Sequence, residues 1–402
     1  MKIARAFMRN FSIVALLILA FSVLSCRSGM PSGQTPPQAI ATAQASRTPE
    51  VVATPQGDKV ELTPVTDPGL IHGIQGSADE TYTGISWRRI AYPTCGLGER
   101  GQTLRTTIAN YHTHGIRVLL TVCQPSNSAP DRFSPALVMD AASGAPDAVQ
   151  CGNEEMKNND SSVSFLYWTP RDFARFYDMC EQAVHAVGPA TPVLLGSLDP
   201  HVGGIDYGPL SEQVSYLDQM QSAMNQYVHP GGHWDWHTET LGLINSWHDG
   251  YPDGNTNSLY YLFVFWAQQF HVRLSNLGSH LWVVEGTACF TGCGIDSFNS
   301  YQVAVAHILA LITDVQTAMT FKVPFFYFSG KDFVSVGLYW PIGVLDLKGH
   351  TKPIRQDLPM GARSLHLSCP SGSATVVDQE ALLAKLYAGC SPESDYVQVI
   401  ES

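Results

Sequence analysis

Ala148-Val149-Gln150-Cys151-Gly152-Asn153-Glu154 is a short apolar run that meets a glycine and stops on an acid. A second run, Leu281-Trp282-Val283-Val284-Glu285-Gly286-Thr287, has the same form. Apolar runs of this length, closed by turn residues, read as buried strands. A carboxylate at the end of a buried strand is costly unless something holds it or uses it. Two such strands suggest two acids facing each other across a shared cavity.

Working outward, the strand candidates are 70–75, 85–91, 117–123, 148–152, 192–197, 241–247, 281–284 and 325–328. Amphipathic helix candidates fall between most of them, at 103–114, 170–187, 211–227, 259–277 and 301–320. Thr169 followed by Pro170 suits an N-cap with proline at the first helical position. Strands alternating with helices predict a parallel sheet, and eight repeats predict closure into a (β/α)8 TIM barrel, an α/β fold. The interval between the first two strands leaves a missing or reduced first helix, and 124–147 offers only a short third one. An open doubly wound sheet is the competing fold. No glycine-rich phosphate fingerprint follows the first strand, which counts against a dinucleotide-binding version.

The barrel is assigned to 67–358. Residues 1–26 read as a lipoprotein-type signal peptide. Lys2, Arg5 and Arg9 precede the apolar stretch 11–23, and Val23-Leu24-Ser25-Cys26 resembles a lipobox with Cys26 as the lipidated residue. The Pro/Ser/Thr-rich stretch 27–66 reads as a disordered tether. Residues 359–402 read as a small C-terminal appendage, with a helix candidate at 378–388. Setting Cys26 aside leaves eight cysteines, an even number that favours disulfides in an exported chain. The local pairs Cys289 with Cys293 and Cys369 with Cys390 are expected; the other pairings stay open.

The chain of 402 residues is 45% hydrophobic and 14% charged, which supplies a large core. Its net charge is −12 with no basic block, which argues against a nucleic-acid partner. Cys289-x-x-x-Cys293 has no second close pair to complete a four-ligand metal site, and no cofactor is implied. The expected state is a monomer.

In parallel barrels catalytic groups sit at the C-terminal ends of the strands. Glu154 would end the fourth strand and Glu285 the seventh. Asn153-Glu154 and Glu285, in that strand order, resemble the clan A glycoside hydrolases, which include the family 5 and family 39 retaining glycosidases. The resemblance covers about 68–357. It implies a fold with an Asn-Glu acid/base on strand four and a Glu nucleophile on strand seven. It also implies that Asn153 contacts the sugar 2-hydroxyl and that Arg89 of strand two orients the nucleophile, with Arg88 as the alternative one residue out of register. Glu155 is the weaker acid candidate, because the motif places the acid directly after Asn. His248, at the end of strand six, resembles the clan's residue beside the nucleophile. The clan's Trp at the end of strand eight is missing here; Tyr327, Phe328 or Trp340 would take its place. Tyr251 is a further aromatic candidate for sugar stacking, and His72 a candidate for a sugar hydroxyl.

The resulting expectation is a secreted or surface-anchored retaining hydrolase of a β-linked oligo- or polysaccharide, with membrane contact only through Cys26. The alternatives are a noncatalytic carbohydrate-binding lipoprotein on the same barrel, a transglycosylase, and a solute-binding lipoprotein serving a transporter.

Overall fold

The computed structural model describes residues 71–73, 87–127, 133–157, 166–198, 207–245, 258–286, 317–328, 330–335, 338–340, 347–350, 365–376 and 390–392, with residues 314, 345 and 388. Eight strands form one parallel sheet: β1 (Ile71–Gly73), β2 (Trp87–Ala91), β3 (Arg117–Val122), β4 (Ala148–Cys151), β5 (Val193–Leu198), β6 (Thr240–Asn245), β7 (Leu281–Gly286) and β8 (Phe325–Tyr327). Each strand from β3 to β8 pairs with its predecessor, and β1 pairs in parallel with β8. A doubly wound sheet would reverse its strand order partway. This one never does, and β1 lies beside β2, so the sheet curls round on itself as a (β/α)8 barrel.

The helices between the strands are α1 (Gly101–Thr113), α2 (Pro135–Ala142), α3 (Pro170–Val187), α4 (Tyr207–Ala223) and α5 (Ser258–Gln269). Thr169 caps α3 as expected, its hydroxyl oxygen accepting from the Asp172 N–H. Gly115, at φ 72°, ends α1. The single helix expected over 259–277 is instead α5 followed by a 3-10 segment, Leu274–Ser279. The break is at His271, at φ 55°, where Val272 N–H reaches back to Ala267 O and closes the helix without a glycine. The link between β1 and β2, and most of the helix expected at 301–320, lie outside the described residues.

Side chains on the strands divide between two layers. Val118, Leu120, Val149, Leu243, Val283 and Phe325 face the helices, where they join the main core with Phe173, Tyr177 and Trp266. The alternate positions face into the barrel. Trp87, Trp282 and Phe326 pack there, with ring centroids 5.5 to 6.2 Å apart, toward the N-terminal end of the strands. Arg89, two residues beyond Trp87, begins the polar layer above this aromatic plug.

Beyond β8, the short antiparallel strands β9 (Phe333–Ser335) and β10 (Leu338–Trp340) pair. A separate three-stranded sheet follows, formed by β11 (Leu365–Cys369), β12 (Gly372–Val376) and β13 (Ser391–Pro392). Cys369–Cys390 closes it, as expected from sequence. Two further disulfides, Cys95–Cys123 and Cys151–Cys180, flank β3 and β4. Cys289 and Cys293, and the helix candidate 378–388 apart from Ala388, lie outside the described residues. Among the described residues no helix is long and apolar enough to cross a membrane.

Candidate active site

Arg89 is the centre of the polar layer. It points into the barrel from β2 and is 4% exposed. Its Nε donates to Thr121 Oγ1 at 3.0 Å and to Gln150 Oε1 at 3.1 Å, which fixes the guanidinium from β3 and β4. Its Nη2 donates to Asn153 Oδ1 at 2.8 Å, and its Nη1 pairs with Glu285 Oε2 at 3.3 Å. One planar cation therefore joins the ends of β4 and β7, a task suited to the rigid fork of arginine. Burial pulls its pKa below the ordinary value, and the charges of Glu285 and, more weakly, Glu154 act in the opposite direction. Of the two register choices, Arg89 is the one on this face; Arg88, fully buried, alternates to the other.

Glu285 reaches this face through a bulge. Against β6, Leu243 pairs with Val283 but Ile244 pairs with Glu285; against β8, Val283 pairs with Phe325 but Gly286 with Tyr327. One extra residue is thus accommodated in β7 between Val283 and Gly286. A bulge re-aims the side chains that follow it. It lets Trp282 and Glu285, three residues apart, both face the interior.

Asn153 is fixed by four neighbours. Its Oδ1 accepts from Arg89, from Ser197 Oγ at 3.1 Å and from Gln150 Nε2 at 3.3 Å. Gln124 holds its backbone on both sides, accepting from Asn153 N–H and donating to Asn153 O. With Oδ1 occupied, the amide Nδ2 is the atom left to meet a ligand.

Glu154 follows in left-handed backbone, φ 52°, a conformation unfavourable for a glutamate by about 1 kcal/mol or more. Its N–H donates to Ser197 Oγ at 2.9 Å. Lys157 Nζ donates to its Oε1 at 2.9 Å, and both side chains are largely buried, 9% and 12% exposed. Glu155 is buried in a different place. Its Oε2 accepts from Ser197 N–H, and its carboxylate lies so close to Gly196 that a Cβ there would sit 2.1 Å from Oε1. Glu155 is thus committed to β5, which leaves Glu154 as the rim acid.

Because β4 and β7 are parallel, Glu154 and Glu285 stand at the same rim. Tyr327 ends β8, but its ring lies in the helix-facing core with Phe325, so the strand alternation that would offer it to a sugar puts it on the other side. Phe328, one residue on, shares the alternate phase with Phe326. His72 belongs to β1 and Trp340 to β10, where only the backbone is described. His248 and Tyr251 lie outside the described residues.

Sequence reasoning passed over Thr121, Gln124, Gln150 and Ser197, four polar residues buried to 3% or less that hold the site. Their signal was present, since Thr121, Gln150 and Ser197 each interrupt an otherwise apolar strand. Among the described residues no group of His, Cys, Asp and Glu could hold a metal ion.

No family model and no curated protein matches the chain. Among solved structures it is similar to the GH5_18 protein from Streptomyces cattleya in complex with GlcNAc, at 12% identity over 69% of this chain and 70% of that one, TM-score 0.45. It is also similar to a glucosidase from Croceicoccus marinus, at 12% identity over 74% and 68%, TM-score 0.47. A curdlan-specific exo-β-1,3-glucanase of GH128 from Blastomyces gilchristii, in complex with glucose, aligns at 12% identity over 72% of this chain and 97% of that one, TM-score 0.41.

Proposed function

We propose that the protein is an exported retaining glycoside hydrolase acting on a β-linked glycan. The observation that carries this reading is the Arg89 guanidinium, which binds Glu285 with one nitrogen and Asn153, the neighbour of Glu154, with another. An ion pair needed only for packing would end at Glu285. This one continues into a second acid-bearing strand end at the same rim, as a two-carboxylate reaction requires.

In the first step a Glu285 oxygen attacks the anomeric carbon and the glycosidic C–O bond breaks. Glu154 gives its proton to the departing oxygen, and a glycosyl ester on Glu285 remains. In the second step water attacks the anomeric carbon, its proton passes to Glu154, and the ester bond breaks to return the Glu285 carboxylate. One water is consumed and the configuration is retained. Asn153 Nδ2 donates to the 2-hydroxyl beside the reacting carbon. Lys157 occupies Oε1 of Glu154, so Oε2 is the oxygen that exchanges the proton. Phe328, Trp340 and Tyr251 are the aromatic candidates for the sugar face, and His248 and His72 the polar ones.

The basic and apolar N-terminal stretch, Cys26 and the tether supply export and a lipid anchor. Three disulfides among the described residues suit an oxidising compartment.

The test is a slow 2-deoxy-2-fluoro β-glycoside with a dinitrophenyl leaving group. Incubation should add one glycosyl unit to the protein, and peptide mass spectrometry should place it on Glu285. Glu285→Gln should lower kcat by 10³-fold or more with the folding transition unchanged. A label on another residue, or inversion seen by NMR of the first-formed product, removes the mechanism.

A further inference from the structure

A cavity of about 550 Å³ is lined by the segment after β3, the segment leading into α3 and the first half of α3. One wall is aromatic. Phe133 and Phe176 pack with ring centroids 4.5 Å apart, Trp168 stands 5.9 Å from Phe176, and the half-buried Tyr167 adjoins them. Asp172 and Arg175 of α3, a loosely paired carboxylate and guanidinium 3.8 Å apart and each about half exposed, add a polar edge to the same lining. The volume lies within the range of small-ligand sites.

The cavity is tied to the rim by short hydrogen bonds. Gln124 Nε2 donates both to Asn153 O and to Leu166 O. Trp168 N–H donates to Glu155 O, and its ring Nε1 to Pro125 O. Trp168 of the aromatic wall thus stands one hydrogen bond away from Glu155, and Gln124 bridges Asn153 to Leu166, two residues before Trp168. Both segments leave the C-terminal ends of parallel strands, β3 and β4, the end of the barrel that carries Glu154 and Glu285.

Phe176 and Trp168 are buried in the core, so a ligand for this lining needs an apolar face for the half-buried Phe133 and Tyr167 and a rim of hydroxyls for the carboxylate and guanidinium. A pyranose ring has both. An aromatic aglycone would use the rings alone and offer no hydroxyl to Asp172 or Arg175. We infer that this cavity is a distal subsite holding a pyranose unit of the same chain that is cleaved at Glu154 and Glu285. The substrate is then an oligo- or polysaccharide that extends over the β3 and β4 loops. This inference rests on the hydrolase reading above.

The experiment uses the full-length protein and the variants Tyr167→Ala and Arg175→Ala. Its probes are β-1,3- and β-1,4-linked glucose and mannose oligosaccharides of two to six units, together with the matching aryl monoglycosides. For wild type, kcat/KM should rise with chain length on the preferred series. Each variant should lower the value for the longest oligosaccharide about tenfold, the loss of one stacking or charge-assisted contact, and leave the aryl glycoside unchanged. Turnover of aryl glycosides with no chain-length dependence overturns the subsite alone, as does an equal loss on long and aryl substrates. No turnover of any compound removes the hydrolase reading, and the subsite with it.

Discussion

Three donors converge on Asn153 Oδ1, while a single ammonium holds Glu154, and the contrast separates positioning from proton transfer. Asn153 has no rotational freedom left. Glu154 has one oxygen fixed by Lys157 and one available. If Lys157 sets which oxygen faces the leaving group, its loss should misplace the proton by an ångström or so, enough to cost about 10²-fold in rate. Lys157→Met should therefore lower kcat/KM about that much for glycosides with poor leaving groups. It should change little for dinitrophenyl glycosides, whose phenolate departs without a proton, and Lys157→Arg should recover part of the loss. Equal losses on both substrate types would mean that Lys157 only supports the fold. Glu154→Ala should show the same split more strongly, and azide should speed its turnover of the activated substrate and yield a β-azide. Absence of that product would take the acid/base role from Glu154.

At the scale of elements, the site depends on how closely β4 and β5 approach. Gly196 sits at φ 51° with the Glu155 carboxylate where a Cβ would go. Gly196→Ala should cost about 2–4 kcal/mol from left-handed strain and overpacking together. It should also lower activity, because Ser197, the next residue, contacts Asn153, Glu154 and Glu155. Urea unfolding measures the first effect, and a loss below about 0.5 kcal/mol would contradict the close approach. Most of the eight strands were legible because they are largely apolar runs closed by turn residues, and α3 because Thr169-Pro170 marks its start. The phase of β7 was not legible. Strict alternation through Leu281, Val283 and Glu285 puts the acid on the helix-facing side, and only the bulge turns it inward. The end of α5 was hidden for a related reason: His271 takes the left-handed position that glycine usually marks, and Lys322 does the same before β8. Tyr327 was assigned to the rim because its place at the strand end was readable while its phase was not.

Across the whole molecule, the two ends of the barrel carry opposite kinds of charge arrangement. The rim that carries Glu154 and Glu285 matches these buried acids with Arg89 and Lys157. At the other end, where the chain enters β6, Glu239 accepts from the Tyr177 hydroxyl at 2.7 Å. Its neighbours from α3 are Glu181 and Asp178, with His229 on Asp178 at 2.6 Å. Burial, followed by the charges of Glu239 and Asp178, raises the pKa of Glu181 from 4.5 to about 7, against a smaller opposing effect of His229. Glu239 is raised as well, chiefly by burial. A folded-state pKa above the unfolded value means that the folded protein binds more protons between the two, so stability falls as pH rises. The penalty from Glu181 is absent below about pH 4.5 and fully developed above about pH 7. Because this side chain is partly open to solvent, the effect should be on the order of 1 kcal/mol rather than the full value of the shift. Glu181→Gln should thus stabilise the protein by about that amount at pH 8 and by almost nothing at pH 4.5, as read from urea midpoints at the two values. The profile of kcat/KM against pH should be the same in wild type and variant, since Glu181 lies at the end of the barrel away from Glu154 and Glu285. A variant equally stabilised at both pH values would show that repacking, rather than the carboxylate's charge, sets the difference. A shifted activity profile would show that the two ends of the barrel are electrostatically coupled.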